Sequence, residues 1–203
     1  MTAQTMPYPV TLRGDLSTPP GRWEWLFKWF LLIPHYFVLC CLGFAAAVCW
    51  VIALFSILFT GRYPRGLFDF IVGVMRWGWR VSFYGYSALG TDKYPPFSLD
   101  EDSNYPADLY VQYPERLSQG LVLVKWWLLA IPQWIIVTVF QGGQHWIGLA
   151  PLLAIISNIV NLFTGKYPVD LFKFIIGLDK WSYRVYGYAA LTTDIYPPFR
   201  LDD

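Results

Sequence analysis

The chain has 203 residues, 56% of them apolar and 20% aromatic, with 15 basic and 14 acidic residues leaving a net charge of +1. A soluble domain is a little under half apolar, so this surface must face something besides water, and a near-neutral charge offers no field for nucleic acid. Cys40, Cys41 and Cys49 fall in one uncharged stretch and read as apolar fillers, which say little about redox environment.

Residues 1–15, MTAQTMPYPVTLRGD, carry neither the basic start nor the apolar run of a cleaved signal peptide, so the first apolar segment is expected to direct insertion. Residues 8–12 and 105–113 begin on Tyr-Pro and alternate in part; brief strands or extended arms are expected there, with the YPPF tails as candidate partners. Residues 29–61 contain no Asp, Glu, Lys or Arg, and neither do 126–165. As straight helices these 33 and 40 residues would measure about 50 and 60 Å, against a hydrocarbon slab of about 30 Å. A helical hairpin is expected in each, turning near 41–44 in the first and at the polar break Gln141, Gly142, Gly143, Gln144, His145, Trp146 in the second. A half-span or re-entrant hairpin is the alternative for the shorter stretch. Two crossings per unit would put Arg22, Lys28, Arg62, Arg65, Arg116, Lys125, Lys166 and both termini on one side, cytoplasmic by the positive-inside tendency.

The pattern changes after each basic loop. Residues 66–89 and 169–191 mix apolar side chains with Asp69, Arg76 and Arg80, or with Asp170, Lys173, Asp179, Lys180 and Arg184. Arg76 and Arg80 are four apart, as are Lys180 and Arg184, so each pair shares a helix face. Amphipathic helices in the headgroup plane are expected, the four basic residues contacting anionic lipid or a partner; a further span with buried charges is the alternative. Asp92 and Asp194, ahead of the YPPF tails, are expected to cap the helix exit or to pair with Arg80 and Arg184 and clamp the tail.

Self-similarity organises these elements. FTGRYP at 59–64 recurs as FTGKYP at 163–168, offset by 104, and YGYSALGTDKYPPFSLD at 84–100 recurs as YGYAALTTDIYPPFRLD at 186–202, offset by 102. KWFLLIP at 28–34 answers KWWLLAIP at 125–132, where the prolines are offset by 98, so copy two holds six extra residues before its FTG element. The expected architecture is an all-α membrane protein of two tandem repeats with short extended or β segments on the basic side. Repeat one spans 8–100 (hairpin about 25–60, interfacial helix about 66–89), repeat two 105–202 (hairpin about 121–164, interfacial helix about 169–191), and an acidic tether, 101–104, joins them.

The run LFTGRYPRGLFDFIVGVMRWGWRV at 58–81, the KW entries, YPERLS at 113–118 and TDKYPPFSLD at 91–100 resemble the bacterial domain-of-unknown-function family 4389, once per copy over nearly the whole chain. The resemblance implies a small bacterial membrane domain and brings no activity, cofactor or catalytic residue. Copy one departs from the pattern with LSTPPG at 16–21; copy two departs with Ser182 in place of Gly78 and Lys173 in place of Asp69.

No GxSxG, HExxH, P-loop or dinucleotide-binding glycine pattern occurs. His35 reads as a polar residue near the headgroups, with a single-ligand pigment or metal role as its alternative, and His145 as a turn residue. The carboxylates Asp69 and Asp179, each beside a basic pair, read as parts of a wetted helix face. Asn158 and Asn161, three apart, would bond across helices or line a narrow pore, although copy one has Leu54 and Ile57 there. No metal or cofactor is expected, but bound phospholipid is. The reading is a non-enzymatic accessory or scaffold subunit of the bacterial inner membrane, binding anionic lipids and either another integral membrane protein or a second copy. A lipid-handling protein with an acyl-chain groove, an oligomeric channel or transporter component, and a membrane-embedded enzyme are the alternatives.

Overall fold

The computed structural model describes residues 8–16, 19–143 and 145–202. The expected placement of the N-terminus at 1–7 and one member of the polar break, Gln144, lie outside the described residues. Among the described residues the chain is mostly helical with two small sheets.

Copy one runs from strand β1 (Val10–Gly14) through a short 3-10 turn into α1 (Lys28–Thr60) and α2 (Arg65–Tyr84). Helix α1 is continuous for 33 residues, so the hairpin expected to turn at 41–44 is absent. That run, Cys41, Leu42, Gly43, Phe44, is followed by three alanines and offers no polar group to satisfy a broken backbone; an uninterrupted helix satisfies every N–H and C=O internally. The chain turns at the TG(R/K)YP element instead. Gly61 caps α1 in the left-handed region (φ 67°) with its N–H on Ile57 O at 2.8 Å, and Pro64 opens α2 by accepting from Phe68 N. Gly165 (φ 68°) and Pro168 repeat this geometry.

Copy two runs from β2 (Ala107–Val111) through a π-helical turn (Lys125–Leu129) to α3 (Ile131–Gln141). The two-residue strands β3 (Gly142–Gly143) and β4 (Trp146–Ile147) come next, followed by α4 (Leu149–Thr164) and α5 (Val169–Ala189). KWWLLAIP is one residue longer than KWFLLIP, and the π turn absorbs the difference: Leu129 N bonds Val124 O, five residues back, at 3.1 Å. The six extra residues fall at 142–147, where Gly142 and Gly143 pair with Ile147 and Trp146 as the β3–β4 ribbon. A Cβ on Gly148 would come within 2.2 Å of Gln141 C and Gly142 N, so the chain re-enters where it left.

This excursion does not reverse the helix. Trp134 rests on Tyr186 (ring centroids 5.8 Å) and Gln141 bonds Asp179, so α3 runs antiparallel along the second half of α5. Were α4 to turn back, its end would lie beside the far end of α5, which is about 30 Å long. The link at 165–168 would then have to cover a gap that its four residues, reaching about 18 Å at most, cannot span. Helices α3 and α4 therefore form one rod, the interrupted counterpart of α1. With rods in place of hairpins, Arg22 and Lys28 lie at one end of α1 and Arg62 and Arg65 at the other, so the one-sided topology derived from hairpins loses its basis.

A pseudo-two-fold axis relates the copies. Strands β1 and β2 pair antiparallel with Leu12 opposite Leu109, its own counterpart in the repeat, and not with the YPPF tails as expected. Trp79 meets its counterpart Tyr183 at 5.2 Å between centroids. Val10, Leu12, Ala107, Leu109 and Val111 alternate inward, so the sheet buries one face against α2 and α5. On α2, Arg76 and Trp79 meet the strands, while Trp77, Val81 and Tyr84 pack with Leu32 on nearly the opposite side. The order is polar sheet, buried helix, apolar rod. Helices α2 and α5, expected as exposed interfacial helices, are instead the interior layer.

Candidate functional site

Arg76, Arg80 and Arg184 are buried, with Arg80 at 0% exposure, so the lipid-facing basic stripe is not formed by them. Arg80 donates to Ser98 O (3.3 Å) and Asp100 O (2.7 Å) and pairs with Asp108 at 3.2 Å. Its counterpart Arg184 donates to Arg200 O (2.9 Å) and Asp202 O (2.6 Å). Arg76 donates to Leu109 O and Leu99 O and pairs with Glu101 and Asp108, which pins the acidic tether and β2 to α2. A guanidinium has five donors in a fixed fork, and two strands of backbone carbonyl supply acceptors without water. The spacing i, i+4 correctly put these residues on one face; what covers that face is protein.

The tail aspartates have a different partner from the arginines. Lys28 Nζ bonds Thr91 O (2.6 Å) and Asp92 (2.9 Å), and Lys125 Nζ bonds Thr193 O (3.0 Å) and Asp194 (2.7 Å). Asp92 also accepts from Gly21 N and Asp194 from Ser118 N. Both lysines are almost wholly buried. Each clamp ties the start of a rod to the exit of the following helix. The signal for it was in the repeat, since Lys and Asp both recur between copies.

His35 is fully buried in an aromatic box, stacked on Phe97 at 4.0 Å. Trp77 Nε1 donates to His35 Nδ1 at 3.1 Å, leaving the proton on Nε2. In copy two Gln133 fills this position: it accepts from Trp181 Nε1 (2.7 Å) and donates to Pro197 O (2.9 Å). His35 is thus a bridging residue inside the protein and not a headgroup neighbour. Asn158 bonds Ala154 O within its own helix, and Asn161 reaches Pro20 O of copy one at 2.8 Å, so they do not share a path.

Sequence reading missed one feature and misplaced another. An open groove of about 850 Å³ lies between β1, α5 and the C-terminal tail, lined by Thr11, Asp15, Phe172, Ile176, Lys180 and Leu201. On the other side of the pseudo-axis Arg76 and Asp108 stand where Lys180 and Thr11 do, and the two are joined by a salt bridge at 3.2 Å. The second feature is Asp179, which belongs to no wetted face: it is 0% exposed. Its Oδ1 accepts from Gln141 Nε2 (2.8 Å) and Ser87 Oγ (3.0 Å), and Gln141 Nε2 also reaches Ser182 Oγ at 3.0 Å. Burial pushes its pKa up to about 7, against the opposing pull of these two hydrogen bonds.

Neither the curated proteins nor the solved structures searched contain a match to this chain. The sequence model of a domain of unknown function, DUF4389, matches residues 22–98 and again 123–200, each match beginning after one of the paired strands and ending in a YPPF tail. The chain belongs to the DUF4389 family and carries its domain twice.

Proposed function

We propose that the protein is a non-enzymatic membrane scaffold, held in the bacterial inner membrane by the outward faces of α1 and the α3–α4 rod, with sheet, tails and tether in water. The observation that carries this is exposed apolar surface. Helix α1 is long and apolar enough to cross a membrane, yet little of it is buried: Phe37, Phe44 and Phe59 are each about three-quarters exposed, and on the other rod Phe163 is 81% exposed. Soluble monomers rarely leave apolar patches beyond a few hundred Å² uncovered. Trp23, Phe27, Trp29 and Phe30 crowd the start of α1, as aromatic side chains do at a lipid–water boundary.

With Arg76, Arg80 and Arg184 engaged inside the fold, attachment rests on apolar contact with phospholipid chains, and the run Gly43, Ala45, Ala46, Ala47 on α1 gives another membrane helix, or a second copy, room for close approach. The groove, lined by both apolar and charged side chains, opens on the sheet side and takes no residue from the rods, which favours a scaffold over an acyl-chain carrier loaded from the membrane. Spin labels on single cysteines in reconstituted vesicles test the placement. A label at Phe44 should be reached by lipid-soluble oxygen and one at Tyr110 by a water-soluble relaxant; a water-accessible Phe44 label would sink the reading.

A further inference from the structure

We propose that Asp179, Gln141 and Ser182 of copy two, with Ser87 of copy one, form a buried proton-binding site at the joint between the copies. The first ground is the carboxyl itself. Its hydrogen bonds come from neutral groups, and Oδ2 is fully buried without a partner among the described residues, so ionised Asp179 would hold an uncompensated charge away from water. The second ground is the repeat. The counterparts of Asp179, Ser182, Gln141 and Ser87 are Met75, Gly78, Gly43 and Ala189, so all four polar members appear on one side of the pseudo-axis only and meet at one point. The third is position: Gln141 is the last residue of α3, where the rod breaks for the β3–β4 ribbon.

The surroundings select the ligand. From α5 the carboxyl is faced by Tyr183 and Tyr186, whose phenols burial pushes up and keeps neutral; from α3 it meets Gln141, and from copy one Ser87. Lys180, next along α5, lines the groove beside β1. Gln141 turns its N–H toward Oδ1 and Ser182, so the oxygens do not converge as a metal ion requires, whereas a proton needs only Oδ2.

The test is an infrared titration of the purified full chain in detergent, which needs no assumption about the membrane. The C=O stretch of a protonated carboxyl should be present in acid, disappear around pH 7 and be missing in Asp179→Asn. In Ser87→Ala the midpoint should move upward, because the hydroxyl favours the ionised form. Loss of the band already in the ordinary carboxyl range would overturn the proposal, as would a midpoint that shifts with sodium concentration from one titration to the next. If Asp179→Asn does not fold, the wild-type and Ser87→Ala midpoints still decide, since exposed carboxyls titrate well below this one.

Discussion

At Asp179, burial moves the carboxyl pKa from 3.8 to about 7, and the sign of its effect on stability follows. Between those values the folded state holds a proton that the unfolded chain has released, so stability falls as pH rises through this window and levels off above it. Asp179→Asn should remove that slope and be the more stable protein at alkaline pH, by on the order of 4 kcal/mol. Thermal unfolding in detergent across the range would show this, and parallel pH profiles for the two proteins would refute it. The paired bridges at His35 and Gln133 make a second expectation. His35→Gln supplies the same acceptor for Trp77 and should cost less than about 1 kcal/mol, whereas His35→Leu strands the indole N–H and should cost about 1–3 kcal/mol. Sequence reading named Asp179 and His35 but set the first on a wetted helix face and the second near the headgroups, because an orphan polar group beside apolar residues looks the same whatever surrounds it.

On α2, the most telling side chain is Arg80. It is fully buried and feeds two tail carbonyls and Asp108, so Arg80→Ala leaves all three short of a donor and should destabilise by about 3–5 kcal/mol. Arg184→Ala should do the same at the C-terminal tail. A readout of vesicle binding separates this from the headgroup role: partition of the folded fraction should not change. On the rods, deleting 142–147 should fuse α3 and α4 into a helix like α1, with a higher helical signal by circular dichroism and little change in melting temperature. Collapse of the fold would show that the ribbon is structural. The six-residue difference was visible in the sequence, as was the extra residue at KWWLLAIP. Their geometry was not, since an insertion marks where a helix is interrupted without saying whether the chain then turns back. The length of α5 and the short 165–168 link made that decision.

Across the whole molecule, the copies are held by exchanged arms: β1 packs near α5, where Val10 sits against Gly187, and β2 packs on α2. The pairing is self-complementary, with Leu12 opposite Leu109. A fragment of residues 105–203 should therefore assemble as a two-fold homodimer, its own β2 strands pairing about Leu109, and native mass spectrometry in detergent would reveal it. A stable monomer would contradict the arm exchange. Leu109→Asp in the full chain should weaken both copies at once, because that residue is buried on the axis.

The sequence by itself determined the duplication, the family, the helix pairs bounded by Gly61 and Pro64 or Gly165 and Pro168, and the uncharged composition of both rods. Those properties are local or periodic, and they need no knowledge of what lies across the chain. Only the tertiary structure decided which faces are buried in protein and which are exposed. Arg80 and Arg184 share their faces with no exposed solvent, Lys28 and Lys125 take the tail aspartates, and Asp179 is enclosed by a serine from the other copy. Each of these depends on the pseudo-two-fold docking of α2 against α5 under a shared sheet. Such docking joins residues about a hundred positions apart, and no spacing along the chain records it.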